Sequence, residues 1–237
     1  MGMFRTALGG SLILATSAII GPVPSTTTGF APGFGNQGSN WAGYVSTHVP
    51  FSEVNANWQE PAVTCNSTND NYASWVGLDG WGSNTVEQTG VTADCSSGAP
   101  VYRVWYERWP QEQPVWLSPQ QYPVSPGDSI RAEVQHYGAY DYLELQDYNR
   151  NWDENQQVRA PANERDASAE VIVEAELGGH GFPNFGRVNF WTSEIDYNPF
   201  GHFAPFALDA VNGNVLQADT STATNGGMTF SVHYDHE

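Results

Sequence analysis

The sequence predicts an all-β chain, an antiparallel β-sandwich of jelly-roll type in which two sheets pack face to face. Three observations predict it. Short segments alternate apolar and polar side chains with period two. Turn residues punctuate them, as in Pro126-Gly127-Asp128, Gly178-Gly179 and Gly226-Gly227. No stretch sustains a long helical period. With 24 glycines, 15 prolines and 13% aromatic residues in 237 positions, the composition suits one β-rich domain better than two helical ones.

Taken in order, the N-terminus reads as an export signal. Met1 to Arg5 precedes a mostly apolar run, Ala7 to Ile20, then Gly21, Pro22 and a Ser/Thr-rich stretch. Cleavage is expected between Ser25 and Ala31; an uncleaved anchor is the alternative, although the run is short for a membrane span. Residues 1–31 are therefore assigned to a signal peptide and short linker, and 32–237 to the folded domain. Strands are expected at Trp41–Thr47, Val54–Trp58, Tyr72–Leu78, Thr85–Val91, Val101–Trp109, Ser129–Tyr137, Tyr140–Tyr148, Ala169–Glu176, Arg187–Trp191 and Met228–Tyr234. In Ser129–Tyr137, for example, Ile130, Ala132, Val134 and His136 share one face, and Arg131, Glu133 and Gln135 the other. Export places Cys65 and Cys95, thirty positions apart, in an oxidising compartment, where a disulfide is favoured over a metal half-site or a nucleophile.

Charge narrows the chemistry. All eight basic residues are arginines, against 26 Asp and Glu, for a formal charge of -18. That balance argues against a nucleic-acid partner. It suits an acidic working pH, where carboxylates lose their charge and arginine keeps its own; a generic solubilising acidic surface accounts for it equally well. In acid, histidine is charged and useless as a base, and protons compete for metal ligands. The six histidines offer no paired zinc spacing apart from His233-x-x-His236 near the C-terminus, so no metal and no cofactor is expected. No Gly-x-Ser-x-Gly and no Asp-Thr-Gly or Asp-Ser-Gly occurs. Carboxylates are the acid–base groups that remain.

Two strands hold candidates. In Val86-Glu87-Gln88-Thr89-Gly90, alternation puts Gln88 on the face of Val86, opposite Glu87 and Thr89. A strand glutamine on its own is usually a solvated polar residue. On Ala169–Glu176, Glu174 shares a face with Glu170, Ile172 and Glu176, and periodicity alone reads that face equally well as a solvated sheet surface.

Gly38-Ser39-Asn40-Trp41-Ala42-Gly43-Tyr44, the segment Phe51 to Pro61, Ser74-Trp75-Val76-Gly77-Leu78-Asp79-Gly80, Glu87-Gln88-Thr89-Gly90, Val104-Trp105-Tyr106-Glu107-Arg108-Trp109-Pro110 and Ala169-Glu170-Val171-Ile172-Val173-Glu174 resemble, in this order, motifs of the glutamic peptidase (eqolisin) family. The resemblance runs from about Ser39 to Ala210. It implies a concanavalin-like sandwich whose bent face forms the substrate cleft, with Gln88 and Glu174 as the catalytic pair. It also implies cleft roles for Trp41, Trp75 and Asp79, a supporting role for Glu107, and substrate contact at Trp109; core packing is the alternative for Trp41 and Trp75. The implied protein is a secreted, monomeric acid endopeptidase that acts on polypeptides without a membrane partner once the signal is removed. A glycoside hydrolase using Glu107 and Glu174, or a lectin-like binder, remains the alternative on the same architecture.

Overall fold

Period-two alternation becomes strands throughout. The computed structural model describes residues 36–37, 40–47, 50–162, 164–175 and 181–236. The expected signal segment, Glu176 and the Gly178-Gly179 punctuation lie outside them. In chain order the strands are β1 (Asn36–Gln37), β2 (Trp41–Thr47), β3 (Glu53–Gln59), β4 (Asn71–Asp79), β5 (Val86–Asp94), β6 (Val101–Trp109), β7 (Glu112–Trp116) and β8 (Ser129–Tyr137). They continue with β9 (Tyr140–Asp147), β10 (Trp152–Arg159), β11 (Ser168–Glu174), β12 (Arg187–Ile195), β13 (Asn198–Pro199), β14 (Phe206–Asn212), β15 (Val215–Thr220) and β16 (Phe230–Tyr234). Two short 3-10 turns, Phe200–Phe203 and Asn225–Gly227, lie among the last strands.

One sheet runs β14-β2-β11-β4-β5-β6-β7 and the other β10-β9-β8-β3-β12-β16-β15. These neighbours pair antiparallel. Strand β14 also pairs with β15, which stitches the two sheets along one edge. The large apolar cluster fills the sandwich, with Trp58, Tyr72, Val76, Leu78, Val91, Ile130, Val171, Val173 and Phe190 buried in it. Each large side chain so buried contributes roughly 1.5–3 kcal/mol. A disulfide joins Cys65 to Cys95, as expected.

The centre of the first sheet is buried on both faces. Strands β4 and β11 are buried at every position, whereas β10 alternates half-buried and exposed positions like a sheet with one wet face. A second cluster, Trp41, Val45, Ala73, Trp75, Trp105, Ile172 and Leu208, covers the face turned away from the sandwich interior. Glu170, Ile172 and Glu174 are on that face and all are buried. The solvated-surface reading of it is therefore wrong: alternation reports that two faces differ, and tryptophans supplied by neighbouring strands decide which of them is dry. The acidic composition is likewise more than a surface property, because Glu53, Glu60, Glu87, Glu107, Asp141, Asp147 and Glu170 are each about 1% exposed or less.

Candidate active site

The site lies on the tryptophan-rich face, where four strands bring their side chains together. Register sets it up: Glu174 on β11 pairs with Ala73 on β4, Gly77 on β4 pairs with Gln88 on β5, and Gln88 pairs with Glu107 on β6. Directly opposed residues share a face, so Glu174, Ala73, Trp75, Gly77, Gln88, Trp105 and Glu107 all project the same way. Two glycines make this possible. A Cβ at Gly90 would sit 2.6 Å from the Trp75 Cβ and 2.2 Å from the Ser74 carbonyl oxygen, and one at Gly77 would sit 3.0 Å from the Trp75 ring. The Trp75 indole occupies that space and reaches Glu174.

Glu174 is 4% exposed. Each of its oxygens receives a hydrogen bond: Asn40 Nδ2 donates to Oε1 at 2.8 Å, and Trp75 Nε1 donates to Oε2 at 3.0 Å. Asn40 Nδ2 also donates to the Ala175 carbonyl at 2.9 Å, which ties the segment before β2 to the end of β11. Gln88 is 2% exposed and donates from Nε2 to Glu107 Oε2 at 2.6 Å. That bond fixes the plane of the amide and leaves its second N–H hydrogen available. The Gln88 Oε1 atom and the Trp105 indole N–H are buried with no hydrogen-bond partner.

Gln88, Glu107 and Glu174 line one pocket together with Ala73, Trp105, Pro114 and Trp116. Its free volume is about 20 Å³, and a site needs roughly 10–15 Å³ to hold a water. The pocket therefore accommodates one water between a carboxylate and an amide, under an apolar wall of two tryptophans and a proline.

Not every residue expected at the cleft lines this pocket. Trp75 is fully buried and acts on Glu174 through its N–H. Trp41 packs edge-on against Trp75 at 4.9 Å and belongs to the covering cluster. Asp79 is fully buried; it accepts hydrogen bonds from the Thr85 hydroxyl and from the backbone N–H groups of Arg165, Asp166 and Ala167, so it anchors the 165–167 segment. Trp109 pairs with Val86 at the end of β6, on the face of Gln88 but outside the pocket lining. Glu107 is fully buried, lines the pocket beside Gln88 and fixes its amide, the supporting position expected of it.

Sequence reasoning missed Asn40, Pro114 and Trp116. Asn40 stands in the quoted Gly-Ser-Asn-Trp motif and was the available signal. Pro114 hid β7, because proline argues against a strand except at a sheet edge, and β7 is the edge.

The fold and site together define a β-sandwich hydrolase site with a buried carboxylate and an amide facing one water-sized pocket. The sequence model of the peptidase A4 family matches residues 39–234. The chain belongs to that family, the glutamic peptidases or eqolisins, and is a glutamic-type endopeptidase whose substrates are polypeptides. Among solved structures it is similar to scytalido-glutamic peptidase bound to a transition state analog inhibitor, with TM-score 0.72, 22% identity, and coverage of 84% of this chain and 99% of that one. It is also similar to SCP-B, an eqolisin in complex with the tripeptide Ala-Ile-His, with TM-score 0.68, 21% identity and coverage of 84% and 99%. Aspergilloglutamic peptidase from Aspergillus niger matches with TM-score 0.59, 24% identity and coverage of 70% and 99%. Comparison with curated protein sequences yields no match.

Proposed function

We propose that the chain is a secreted, monomeric acid endopeptidase in which Glu174 acts as general base and then general acid, and Gln88 stabilises the oxyanion. Peptide hydrolysis needs an activated water, a donor for the carbonyl oxygen as it becomes negative, and a proton for the leaving nitrogen. Glu174 takes a proton from the water held in the pocket while the water oxygen attacks the scissile carbonyl carbon. The carbonyl oxygen accepts the free N–H of the Gln88 amide. Glu174 then returns the proton to the departing amine as the C–N bond breaks. An amide serves this role in acid because it stays neutral at any pH, and one such donor is typically worth roughly 3–4 kcal/mol in the transition state.

The observation that carries this reading is the shared pocket of Gln88 and Glu174, with room for one water. The orphaned Gln88 Oε1 and Trp105 N–H add to it, since buried polar groups left without partners are groups that a water or a peptide backbone satisfies. The test is cleavage of a denatured protein from about pH 2 to 7 with a chelator present. The expected result is a maximum in acid, unaffected by the chelator. A maximum above about pH 6, where histidine also serves as a base, would overturn the reading.

A further inference from the structure

On the other face of β5, directly behind Gln88, is a second cluster that the peptidase chemistry does not use. It draws on four elements: Glu87 from β5, His136 from β8, Asp141 from β9, and Glu164 and Asp166 from the segment before β11. His136 Nδ1 is 3.0 Å from Asp141 Oδ1, 2.8 Å from Glu164 Oε1 and 3.9 Å from Asp166 Oδ1. One ligand atom from each of His136, Asp141 and Glu164 lies within 4.8 Å of the other two.

Carboxyl–carboxyl hydrogen bonds, Glu164 with Asp141 and Glu164 with Asp166, hold the cluster together only while protons sit between the acids. One imidazole nitrogen carries a single hydrogen, and three carboxylates crowd it. Asp141 Oδ2, Glu164 Oε2 and Asp166 Oδ1 are buried and receive no N–H or hydroxyl donor. Glu87 is the independent observation. It is fully buried on the face of β5 opposite Gln88, both of its oxygens lack a partner, and burial first, then the charges of Asp141, Asp79, Asp166 and Glu170, push its carboxyl up to about 10. The nearby Arg108 is engaged with Glu112 at 2.8 Å and with the Arg159 carbonyl, and Asp79 is saturated by its own donors.

We propose that Asp141, Glu164 and His136, with Asp166 beside them, form a binding site for one divalent cation that takes carboxylate oxygen and imidazole nitrogen together, of the Mn²⁺ or Zn²⁺ class. Ligand atoms about 3 Å apart match the edge of a coordination shell with metal–ligand bonds of about 2.1 Å, and the 3.0 and 2.8 Å separations fit it. Such donors without thiolate suit these ions. Partial exposure of the His136 and Asp166 side chains, 23% and 18%, leaves a route for entry. A bound ion ties β8, β9 and the 164–166 segment together beneath the catalytic glutamine without touching substrate.

The test is thermal unfolding of the whole mature protein at pH 7, stripped by chelator and then given about 1 mM Mn²⁺, Zn²⁺ or Ca²⁺, a ligand of the folded state being expected to raise Tm. The expected result is a saturable rise with Mn²⁺ or Zn²⁺ that is lost in Asp141→Asn and His136→Gln. No rise with either ion, a rise retained in full by both variants, or a rise with Ca²⁺ alone overturns the site. Should those variants fail to fold, X-ray absorption of the Zn²⁺-loaded wild-type protein decides. One imidazole among oxygen ligands supports the assignment. An all-oxygen shell, or two imidazoles as from His233-x-x-His236, contradicts it. Neither result bears on Gln88 and Glu174, so this inference and the peptidase mechanism fail separately.

Discussion

Glu174 and Gln88 are each oriented by a neighbour whose role periodicity does not reveal. The Trp75 and Asn40 donors use one lone pair on each Glu174 oxygen and hold the carboxylate against the pocket, while Glu107 holds the Gln88 amide from below. Gln88→Glu tests this arrangement, because it sets a second carboxyl at hydrogen-bond distance from Glu107, and two such groups share a proton and titrate as a pair. The oxyanion donor then exists only while the pair holds a proton. The residual activity of Gln88→Glu is expected to be confined to lower pH than that of the wild type, read as the pH dependence of kcat/KM. An unshifted profile would show that the amide at 88 is not the donor. Alternation alone presented Gln88 as an ordinary strand glutamine, and only the resemblance of Glu87-Gln88-Thr89-Gly90 to a family motif singled it out. Its position relative to Glu107 and Glu174 depends on three inter-strand registers, none of which is written in a single strand.

Strands whose alternation is apolar against polar were readable: β2, β6 and β8 coincide with the expected segments, and β3, β4, β5 and β9 differ only at their ends. Strands β10, β14 and β15 were not read. Trp-Asp-Glu-Asn-Gln-Gln-Val-Arg puts glutamate and glutamine at half-buried positions, so its pattern of exposure leaves little pattern of hydropathy. Strand β11 shows the opposite failure, since both of its faces are buried while its two carboxylates, with Glu176 beyond it, suggested water. The central strands β4 and β5 depend on close approach more than on side-chain type. Gly90→Ala places a Cβ 2.2 Å from the Ser74 carbonyl and 2.6 Å from the Trp75 Cβ, neither of which is the end of a flexible chain. Overpacking of this kind costs about 1–3 kcal/mol or more. The expected outcome is a Tm several degrees below wild type together with lost activity, as Trp75 is pushed from Glu174; an unchanged Tm would mean that the two strands separate without penalty.

Across the whole molecule, burial of carboxyls couples folding to acid. Burial, opposed by the Trp58 hydrogen bond and reinforced by Asp128, raises Glu60 from 4.5 to about 8, and burial likewise raises Glu53 to about 7. A carboxyl raised on folding keeps its proton in the native state after the unfolded chain has lost it. Its contribution is therefore complete below about pH 4.5 and is lost as pH rises toward the folded value. Glu60 alone makes this on the order of 5 kcal/mol. Stability is expected to be greatest in acid and to fall steadily between pH 4.5 and 8, with Tm or the urea midpoint against pH as the measurement; a maximum near neutrality would contradict it. Under the proposed mechanism fold and catalyst favour the same pH range, and its central claim is that Glu174 is the carboxylate that does the chemistry. Glu174→Gln keeps the size of the side chain and one oxygen to accept the Asn40 or Trp75 N–H, but removes the base. Its turnover of a denatured protein substrate at the acidic optimum, measured beside wild type with circular dichroism and Tm on both, is the most direct test. The account predicts a folded protein with no measurable cleavage; a folded Glu174→Gln variant that cleaves at near wild-type rate would contradict it.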